Sequence, residues 1–138
     1  GGAGGRPALT RPRVLAQAAE GAGGGAVSLV AIRIATGRRH QIRSHSAHVG
    51  SPLACDSRYT NRATFSHDRS WCRRNFLHRY RLALLDGRGA RRELLEPLPE
   101  DLRAPLRCLD ARDEASAQVL GEWLRGAGAR DWAECAVL

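Results

Sequence analysis

The sequence predicts one α+β domain, and three of its features lead to that fold class. Residues 27–35 alternate apolar and polar side chains with the two-residue period of a β-strand. Two further strand-like stretches flank the sequence DGRG at residues 86–89, which is typical of a hairpin turn. Residues 38–49 and 113–125 have the patterns of helices that end at a glycine. With 138 residues, the chain is long enough for a modest hydrophobic core.

The amino-terminal part divides into a linker, a short strand and a turn. Residues 1–7 are rich in glycine and are predicted to be a linker or disordered. Residues 10–19 are predicted to form at most a short or edge strand, because Pro12 cannot donate a main-chain hydrogen bond within a sheet. Glycines at residues 21–25 predict a turn before the strand at 27–35.

The middle of the chain is predicted to hold a helix followed by a long loop. Residues 38–49 are predicted to be helical, since Gly50 stands where a helix C-cap glycine belongs and Pro52 prevents continuation. Residues 53–74 are polar and rich in Arg, Ser and Asn, and they are predicted to be irregular.

The carboxy-terminal part is predicted to contain a hairpin and a helix. Residues 76–85 and 90–95 are the predicted strands of the hairpin. Residues 113–125 are predicted to be an amphipathic helix that opens with acidic residues and ends at Gly126. Its apolar stripe consists of Val119, Leu120, Trp123 and Leu124.

The chain is strongly basic, and all of its cationic side chains except histidine are arginine. It has 22 Lys+Arg against 14 Asp+Glu, a formal net charge of +8. A basic surface attracts polyanions, so nucleic acid is the favoured partner and a membrane surface the weaker alternative. No apolar run approaches the ~20 residues of a membrane-spanning helix. The glycine-rich start lacks the apolar core of a secretory signal.

The cysteine and histidine spacings do not favour a metal site. The four cysteines are Cys55, Cys72, Cys108 and Cys135. Their wide spacing without a CxxC pair favours free thiols in a reducing, intracellular compartment over disulfides or a zinc ribbon. His40, His45 and His48 are the other possible ligands, but their spacings of five and three do not put all three on one helix face. Ordinary hydrogen-bonding histidines are therefore favoured over zinc ligands.

The most informative stretch is TGRRHQIRSH at residues 36–45, where the predicted strand passes through a glycine turn into the predicted helix. The free N–H groups and the positive dipole end of a helix start attract phosphate. Arg39 and Arg43 are one helical turn apart and are expected to share a face. His40 and Gln41 can exchange hydrogen bonds with a base or a sugar. The pattern predicts a site for anions and nucleotide edges.

This motif and the residues after it, TGRRHQIRSH…HVGSPLACDSRY, resemble the signature of RluA-type RNA pseudouridine synthases. ALTRPRVLAQ, SLVAIRIATGR, NFLHRYRLAL and EPLPEDLRAPL are also similar to segments of that family. The resemblance covers residues 8–107 and implies the C-terminal part of the catalytic domain, with 108–138 a helical tail outside it. It implies the α+β pseudouridine synthase fold, a mixed, largely antiparallel sheet with flanking helices, of which only the C-terminal portion is present.

The resemblance also implies a reaction and a partner. The family isomerises uridine to pseudouridine in structured RNA, rRNA or tRNA, on a base flipped out of its stack, with neither a metal nor an organic cofactor. Its catalytic aspartate lies in an HRLD-type motif that this sequence lacks. That aspartate is expected upstream, so the isolated chain is expected to be inactive. A catalytically inactive RNA-binding module derived from such an enzyme is the alternative.

The resemblance assigns roles to five residues of the motif. Arg43 ends the TGR-x-HQIR string and is expected to contact RNA and to pair with the upstream aspartate, keeping that carboxylate ionised and oriented. Arg38, His40 and Gln41 match the string and are expected to contact RNA or to support the site. Arg39 stands where the family often has Thr or Ser and is expected to touch phosphate or to be solvated.

The segment after the motif is expected to support the site. Asp56 and Tyr59 match the family's D-x-x-Y element, and for Asp56 a capping or turn role is favoured over catalysis. Thr60 departs from the glycine usual in the family. Arginines interleaved with Trp71 and Phe76 in this region either bind single-stranded RNA or are solvated. The target RNA, the modified uridine and the oligomeric state are not predicted.

Overall fold

The computed structural model describes residues 5–21 and 24–135, and this part of the chain has an α+β fold with antiparallel strand pairing. The strands are β1 Thr10–Glu20, β2 Ala26–Ile34, β3 Arg81–Leu85, β4 Arg91–Leu95 and β5 Leu109–Ala111. The helices are α1 Gln41–His48, α2 Arg62–Asp68, α3 Glu100–Arg107 and α4 Glu114–Leu124, followed by a 3-10 turn at Trp132–Glu134. The predicted α+β class is confirmed. The predicted linker and turn lie partly outside the described residues, at 1–4 and at 22–23.

Strand β1 is longer than predicted and lies in the middle of a sheet ordered β2-β1-β5. It pairs with β2 along most of its length, whereas only its last three residues pair with β5. Pro12 lies opposite Ile32 of β2 and far from the β5 end. Of the two predicted alternatives, the short strand was wrong. The edge position is confirmed around Pro12, where, among the described residues, β1 pairs with β2 alone and proline needs no N–H on the other side.

The hydrophobic core lies between the three-stranded sheet and the carboxy-terminal helices. Its buried residues are Leu15, Ala16, Ala18, Ala31, Leu98, Leu102, Leu106, Leu120, Trp123 and Cys135. Burying one leucine or aromatic side chain contributes roughly 1.5–3 kcal/mol. Tyr80 packs edge-on against Trp123, with ring centroids 5.1 Å apart. Because β5 pairs with β1 and α4 contributes to this core, the carboxy-terminal residues hold the sheet that leads into α1.

Helix α1 begins at Gln41, three residues later than predicted. His40 has a left-handed backbone, with φ 54°, which no residue inside a right-handed helix adopts. The Gln41 N–H donates to the carbonyl of Arg38 over 3.1 Å and closes a turn before the helix. The expectation that Arg39 and Arg43 share a helix face is therefore wrong, since Arg39 precedes the helix.

The end of α1 is as the sequence predicts, with Gly50 in a left-handed conformation at φ 81°. The Gly50 N–H donates to Ala47 over 3.0 Å, and the Ser51 N–H donates to Ser46 over 3.0 Å. These two hydrogen bonds form a Schellman motif, which satisfies the carbonyl groups at the helix end.

We expect Gly50→Ala to lower the free energy of unfolding by about 1 kcal/mol, because a left-handed residue with a Cβ is strained. A Cβ at Gly50 would meet no atom within 4 Å, so the effect comes from the backbone alone. Urea unfolding measures it. Gly87→Ala is the matched control, since Gly87 also has open space around it but no left-handed backbone. Equal unfolding free energies for the two variants would contradict the argument.

The long segment predicted to be irregular contains helix α2. Asn61 caps this helix by accepting a hydrogen bond from the Thr64 N–H over 2.8 Å. His67 of α2 is in contact with Glu20 at the end of β1, and this contact joins the helix to the sheet. The loop prediction was wrong here because an asparagine cap, which is readable in the sequence, starts a helix too short to show a clear apolar period.

The β3–β4 hairpin is present, although β3 starts five residues later than predicted. The Asp86 N–H donates to the Ala90 carbonyl over 2.8 Å, and Gly89 is left-handed with φ 78°. Leu85 is 71% exposed and Leu94 is 60% exposed. Within the described part of the chain these two strands pair only with each other. A two-stranded ribbon is marginally stable alone, so the hairpin is the part of the fold with the least support from packing.

Candidate active site at the start of helix α1

Gln41 fixes the turn between β2 and α1. Its side chain is buried, and its amide nitrogen donates to the Leu9 carbonyl and to Thr10 Oγ1, each over 3.0 Å. Its amide oxygen accepts from Thr36 Oγ1 over 2.7 Å and from the Arg38 N–H over 3.2 Å. All four bonds that an amide of this type needs are made within the chain. Of the two roles expected for Gln41, site support is the one that this geometry favours over RNA contact.

Arg43 and Asp56 form a two-pronged ion pair beside this turn. Arg43 Nε donates to Asp56 Oδ2 over 2.8 Å, and Arg43 Nη2 donates to Asp56 Oδ1 over 2.6 Å. The Asp56 side chain is 0% exposed and that of Arg43 is 22% exposed. The hydrogen bonds from Arg43 hold the pKa of Asp56 at about 2, and the same bonds raise the pKa of Arg43. Both groups are therefore charged at neutral pH, and the carboxylate fixes the direction of the guanidinium.

Asp56 has a second role, which the sequence did predict. Its Oδ1 accepts main-chain N–H groups from Arg58 over 3.0 Å and from Tyr59 over 3.2 Å, so it shapes the turn that follows it. The capping or turn role of Asp56 is confirmed. Its bond to Arg43 was missed, although Asp56 is the only carboxylate close to the motif in sequence, which was a usable signal.

His40 lies against both Arg43 and Tyr59. Its ring packs edge-on against the Tyr59 ring at a centroid distance of 5.9 Å, with Nδ1 3.3 Å from Tyr59 Oη. Its Nε2 is 3.4 Å from Arg43 Nη1. Burial, followed by the charges of Arg43, Arg58 and Arg39, lowers the pKa of His40. A neutral ring at pH 7 can donate from Nδ1 to Tyr59 and accept from Arg43 at Nε2.

The guanidinium of Arg43 keeps donors that the chain does not use. It has five N–H groups. Two of them bind Asp56 and one approaches His40 Nε2. The other two, one on each terminal nitrogen, have no acceptor among the residues that the structure describes. Since Asp56 takes the edge formed by Nε and Nη2, a second anion has Nη1 and the remaining Nη2 hydrogen to bind.

The other arginines of the motif are exposed. The side chains of Arg38 and Arg39 form no ion pair within residues 5–21 and 24–135. Arg43 and Arg58 lie over the Tyr59 ring, 5.3 and 5.9 Å from its centroid. In the structure Arg43, His40 and Arg58 thus contact Tyr59. Gln41 is instead buried against the start of β1.

The histidines of α1 do not converge on one point. His45 Nδ1 is 2.8 Å from Thr10 Oγ1, whereas His40 faces Tyr59. Among the residues described, no group of three or more His, Cys, Asp or Glu side chains is placed to hold a metal ion. All four cysteines are free thiols. In the same part of the chain, no helix has the length and apolar character needed to cross a bilayer.

We expect the Arg43–Asp56 pair to make stability depend on pH in acid. Because the pKa of Asp56 falls from 3.8 to about 2 on folding, its ionised form stabilises the fold fully above about pH 4. That contribution, about 2 kcal/mol, is lost as the pH falls through about 2. Urea unfolding of the wild type and of Asp56→Asn, at about pH 5 and about pH 2, measures it. The wild type should have the larger free energy of unfolding at about pH 5, and this advantage over Asp56→Asn should shrink at about pH 2. An advantage that is the same at both pH values would contradict the low pKa of Asp56.

Part of this chain is similar in sequence to two proteins that are named as pseudouridine synthases. The chain is 39% identical over 109 residues to a Chloroflexus aurantiacus protein named "Uncharacterized RNA pseudouridine synthase", a match covering 78% of this chain and 31% of that protein. It is 43% identical over 58 residues to the ribosomal large subunit pseudouridine synthase C of Vibrio cholerae, covering 42% of this chain and 16% of that protein. These two matches support a relationship to a pseudouridine synthase family. The matched part of this chain spans less than a third of the length of either relative.

Two other comparisons add no functional information. A stretch of 51 residues is 47% identical to a MATH and LRR domain-containing protein of Plasmodium falciparum, of which it covers a share that rounds to 0%. So small a part of a protein does not indicate its function. No protein-family model matches the chain.

Proposed function

We propose that the chain is the C-terminal part of the catalytic domain of an RluA-type RNA pseudouridine synthase. The proposed reaction is the isomerisation of uridine to pseudouridine in structured RNA, rRNA or tRNA. One observation carries this proposal: Arg43 of the TGRRHQIR motif is held by a buried carboxylate and keeps two N–H donors that have no acceptor among the described residues. The names of the relatives in Chloroflexus aurantiacus and Vibrio cholerae support the same reaction class.

In this proposal, Arg43 binds a second carboxylate, the catalytic aspartate of an upstream HRLD-type motif. A guanidinium beside a carboxylate lowers the pKa of that carboxylate and fixes its direction when the pair has two bonds. The free donors of Arg43 are the ones suited to this pair, because Asp56 already occupies the Nε edge. Arg43 then stands between two carboxylates, one that positions it and one that it positions.

The reaction detaches uracil from its ribose, turns the base and rejoins it through carbon. It is an isomerisation, with no net oxidation or reduction, so we propose no cofactor. The target base has to leave its stack to reach the site. His40 and Tyr59 support the geometry around Arg43, and the exposed arginines beside them face the side from which RNA approaches. The free thiols of the chain favour an intracellular setting for this reaction.

The test begins by extending the reading frame upstream of this chain. The longer protein is incubated with RNA from cells that lack the gene, and the RNA is then digested to nucleosides that are separated by chromatography. We expect the longer protein to form pseudouridine. Two controls, this chain alone and the longer protein with the upstream aspartate changed to asparagine, are expected to form none.

The proposal would be overturned if RNA incubated with the longer protein contained no more pseudouridine than RNA incubated with the two controls. If the chain then still bound RNA, with an affinity that falls steeply as salt increases, an inactive RNA-binding module would be the better description.

A further inference from the structure

A cluster of four residues consists of Arg39, His40, Arg58 and Tyr59, and its two arginines have no carboxylate partner among the described residues. Arg58 lies over the Tyr59 ring, and His40 packs against the edge of that ring. Arg39 directly precedes His40 and is exposed. Among the described residues, neither Arg39 nor Arg58 forms an ion pair or a side-chain hydrogen bond. The carboxylate closest to the cluster, Asp56, is already bound to Arg43 through both of its oxygens.

Arg39 and Arg58 both lie beside the contact between the His40 and Tyr59 rings, since Arg39 is bonded to His40 in the chain and Arg58 lies over the Tyr59 ring. Burial lowers the pKa of His40 most, the charges of Arg43, Arg58 and Arg39 lower it further, and Asp56 offsets only part of this. Tyr59 is the other titratable group against the His40 ring. Proximity of several guanidinium groups without counter-charge is unfavourable, and an anion placed among them relieves it.

We propose that Arg39 and Arg58 hold a backbone phosphate of the RNA next to the uridine that enters at Arg43. This inference rests on the proposed function and names the part of the RNA that the cluster binds. Both side chains are exposed, so they reach phosphate without the large desolvation that a buried arginine would need. Their planar forks can each make paired bonds to phosphate oxygens. Arg43 is left for the reaction because Asp56 holds it in place.

A phosphate fits this cluster better than a base edge does. Phosphate oxygens only accept hydrogen bonds, and the exposed groups here only donate, since the neutral His40 uses both ring nitrogens on Tyr59 and Arg43. Arginines that contact the backbone determine position on the RNA and not sequence. The cluster therefore sets where the strand lies relative to Arg43, and the choice of uridine falls to other surfaces.

The test is the salt dependence of RNA binding by the full chain and its variants. The probe is a short single-stranded RNA containing one uridine, and its affinity is measured over a range of salt concentrations. For each phosphate contact removed, the slope of log affinity against log salt should fall by about 0.7. We expect this decrease for Arg39→Ala and for Arg58→Ala. Arg88→Ala, which removes an exposed arginine in the β3–β4 turn, should leave the slope unchanged.

Equal slopes for all four proteins would overturn the proposal, and so would the same decrease in all three variants, which would indicate general basicity. A second readout locates the phosphate. Replacing single phosphates of the probe by uncharged methylphosphonates should weaken binding to the wild type at one position near the uridine. A methylphosphonate at that position should no longer weaken the binding of the Arg39→Ala/Arg58→Ala double variant. A defined phosphate site would be contradicted if the double variant became insensitive to methylphosphonates at every position alike. It would also be contradicted if the double variant stayed as sensitive as the wild type at all positions.

The imidazole of His40 gives a third readout that a general loss of charge would not produce. A phosphate among the three guanidinium groups should raise the pKa of His40 above its value in the free chain, as followed by NMR. Inorganic phosphate is tested in parallel and should bind far more weakly than RNA. If it raised the pKa of His40 as much as RNA does at the same concentration, the site would be one for free phosphate. An unchanged pKa in the RNA complex would overturn the placement.

Failure of the subsite and failure of the proposed function are separable. Pseudouridine formation by the wild-type longer protein with unchanged slopes in the variants would reject only the phosphate site. Decreased slopes in Arg39→Ala and Arg58→Ala without any pseudouridine would keep the phosphate site and reject the isomerase function.

Discussion

Arg43→Lys in the longer protein should lower the turnover of uridine by about 100-fold or more, a size typical of a misplaced catalytic group. Arg43 serves two carboxylates in our proposal, and it can do so because its planar fork has separate edges. Lysine has a single point of charge, which can bind Asp56 or the upstream aspartate but cannot fix both. The substitution keeps the positive charge, so the expected loss comes from geometry.

Two comparisons make this prediction specific. Arg88→Lys, in the exposed β3–β4 turn, should leave turnover unchanged. Arg43→Lys should also bind RNA with nearly the affinity of the wild type, so that the loss falls on kcat and not on KM. Turnover of Arg43→Lys within a few-fold of the wild type would show that two-edged binding by Arg43 is not needed.

Asp56→Asn should lower the free energy of unfolding by about 3 kcal/mol at neutral pH, because removing one partner of a buried ion pair leaves the other charge uncompensated. Asparagine keeps an oxygen for the main-chain N–H groups of Arg58 and Tyr59, so the turn itself should survive. The loss is therefore assigned to the bonds with Arg43. Urea unfolding of the chain measures it.

Asp86→Asn is a matched control for this substitution. Asp86 has the same arrangement at the surface, since it accepts main-chain N–H groups from Arg88 and Ala90 and pairs with the exposed Arg92. An exposed pair of this kind contributes little to stability, because water and salt screen the two charges. Equal losses for Asp56→Asn and Asp86→Asn would mean that burial of the Arg43 pair adds nothing to stability.

The parts of the fold that the sequence predicted well are those governed by local signals. Strands β2 and β4 and helix α4 each have a clear pattern with a glycine or acidic boundary, and each was found within one residue of its predicted bounds, whereas β3 starts five residues late. The end of α1 was predicted correctly from the presence of glycine at position 50. The structure shows why: the backbone there is left-handed, a conformation that few residues other than glycine adopt. Where residue type dictates backbone geometry, reading the sequence was sufficient.

The start of α1 was missed for a reason that concerns the site itself. His40 is left-handed without being glycine, and residues in that region cost free energy that the surrounding structure has to supply. Cys55, immediately before Asp56, is the other such non-glycine residue among those described, with φ 57°. The two strained positions flank the Arg43–Asp56 pair, and no pattern in the sequence marks either of them.

The Arg43–Asp56 pair shows the limit of reading residues one at a time. The motif predicts that Arg43 is an active-site group, and the D-x-x-Y element predicts that Asp56 is a turn residue, but 13 residues and a loop separate them. Only the folded chain brings the guanidinium against the carboxylate. The sequence predicted an upstream aspartate as the partner of Arg43. The structure shows that Asp56 also binds Arg43, through only two of the five N–H groups of the guanidinium.

The most direct measurement is an experimental structure of the longer protein, in which the carboxylates around Arg43 are identified. We predict that Asp56 still binds Nε and Nη2 and that a second carboxylate, from the upstream HRLD-type motif, lies within ~4 Å of the remaining guanidinium donors. A structure in which Arg43 contacts Asp56 alone, with the upstream aspartate pointing elsewhere, would contradict the proposed site.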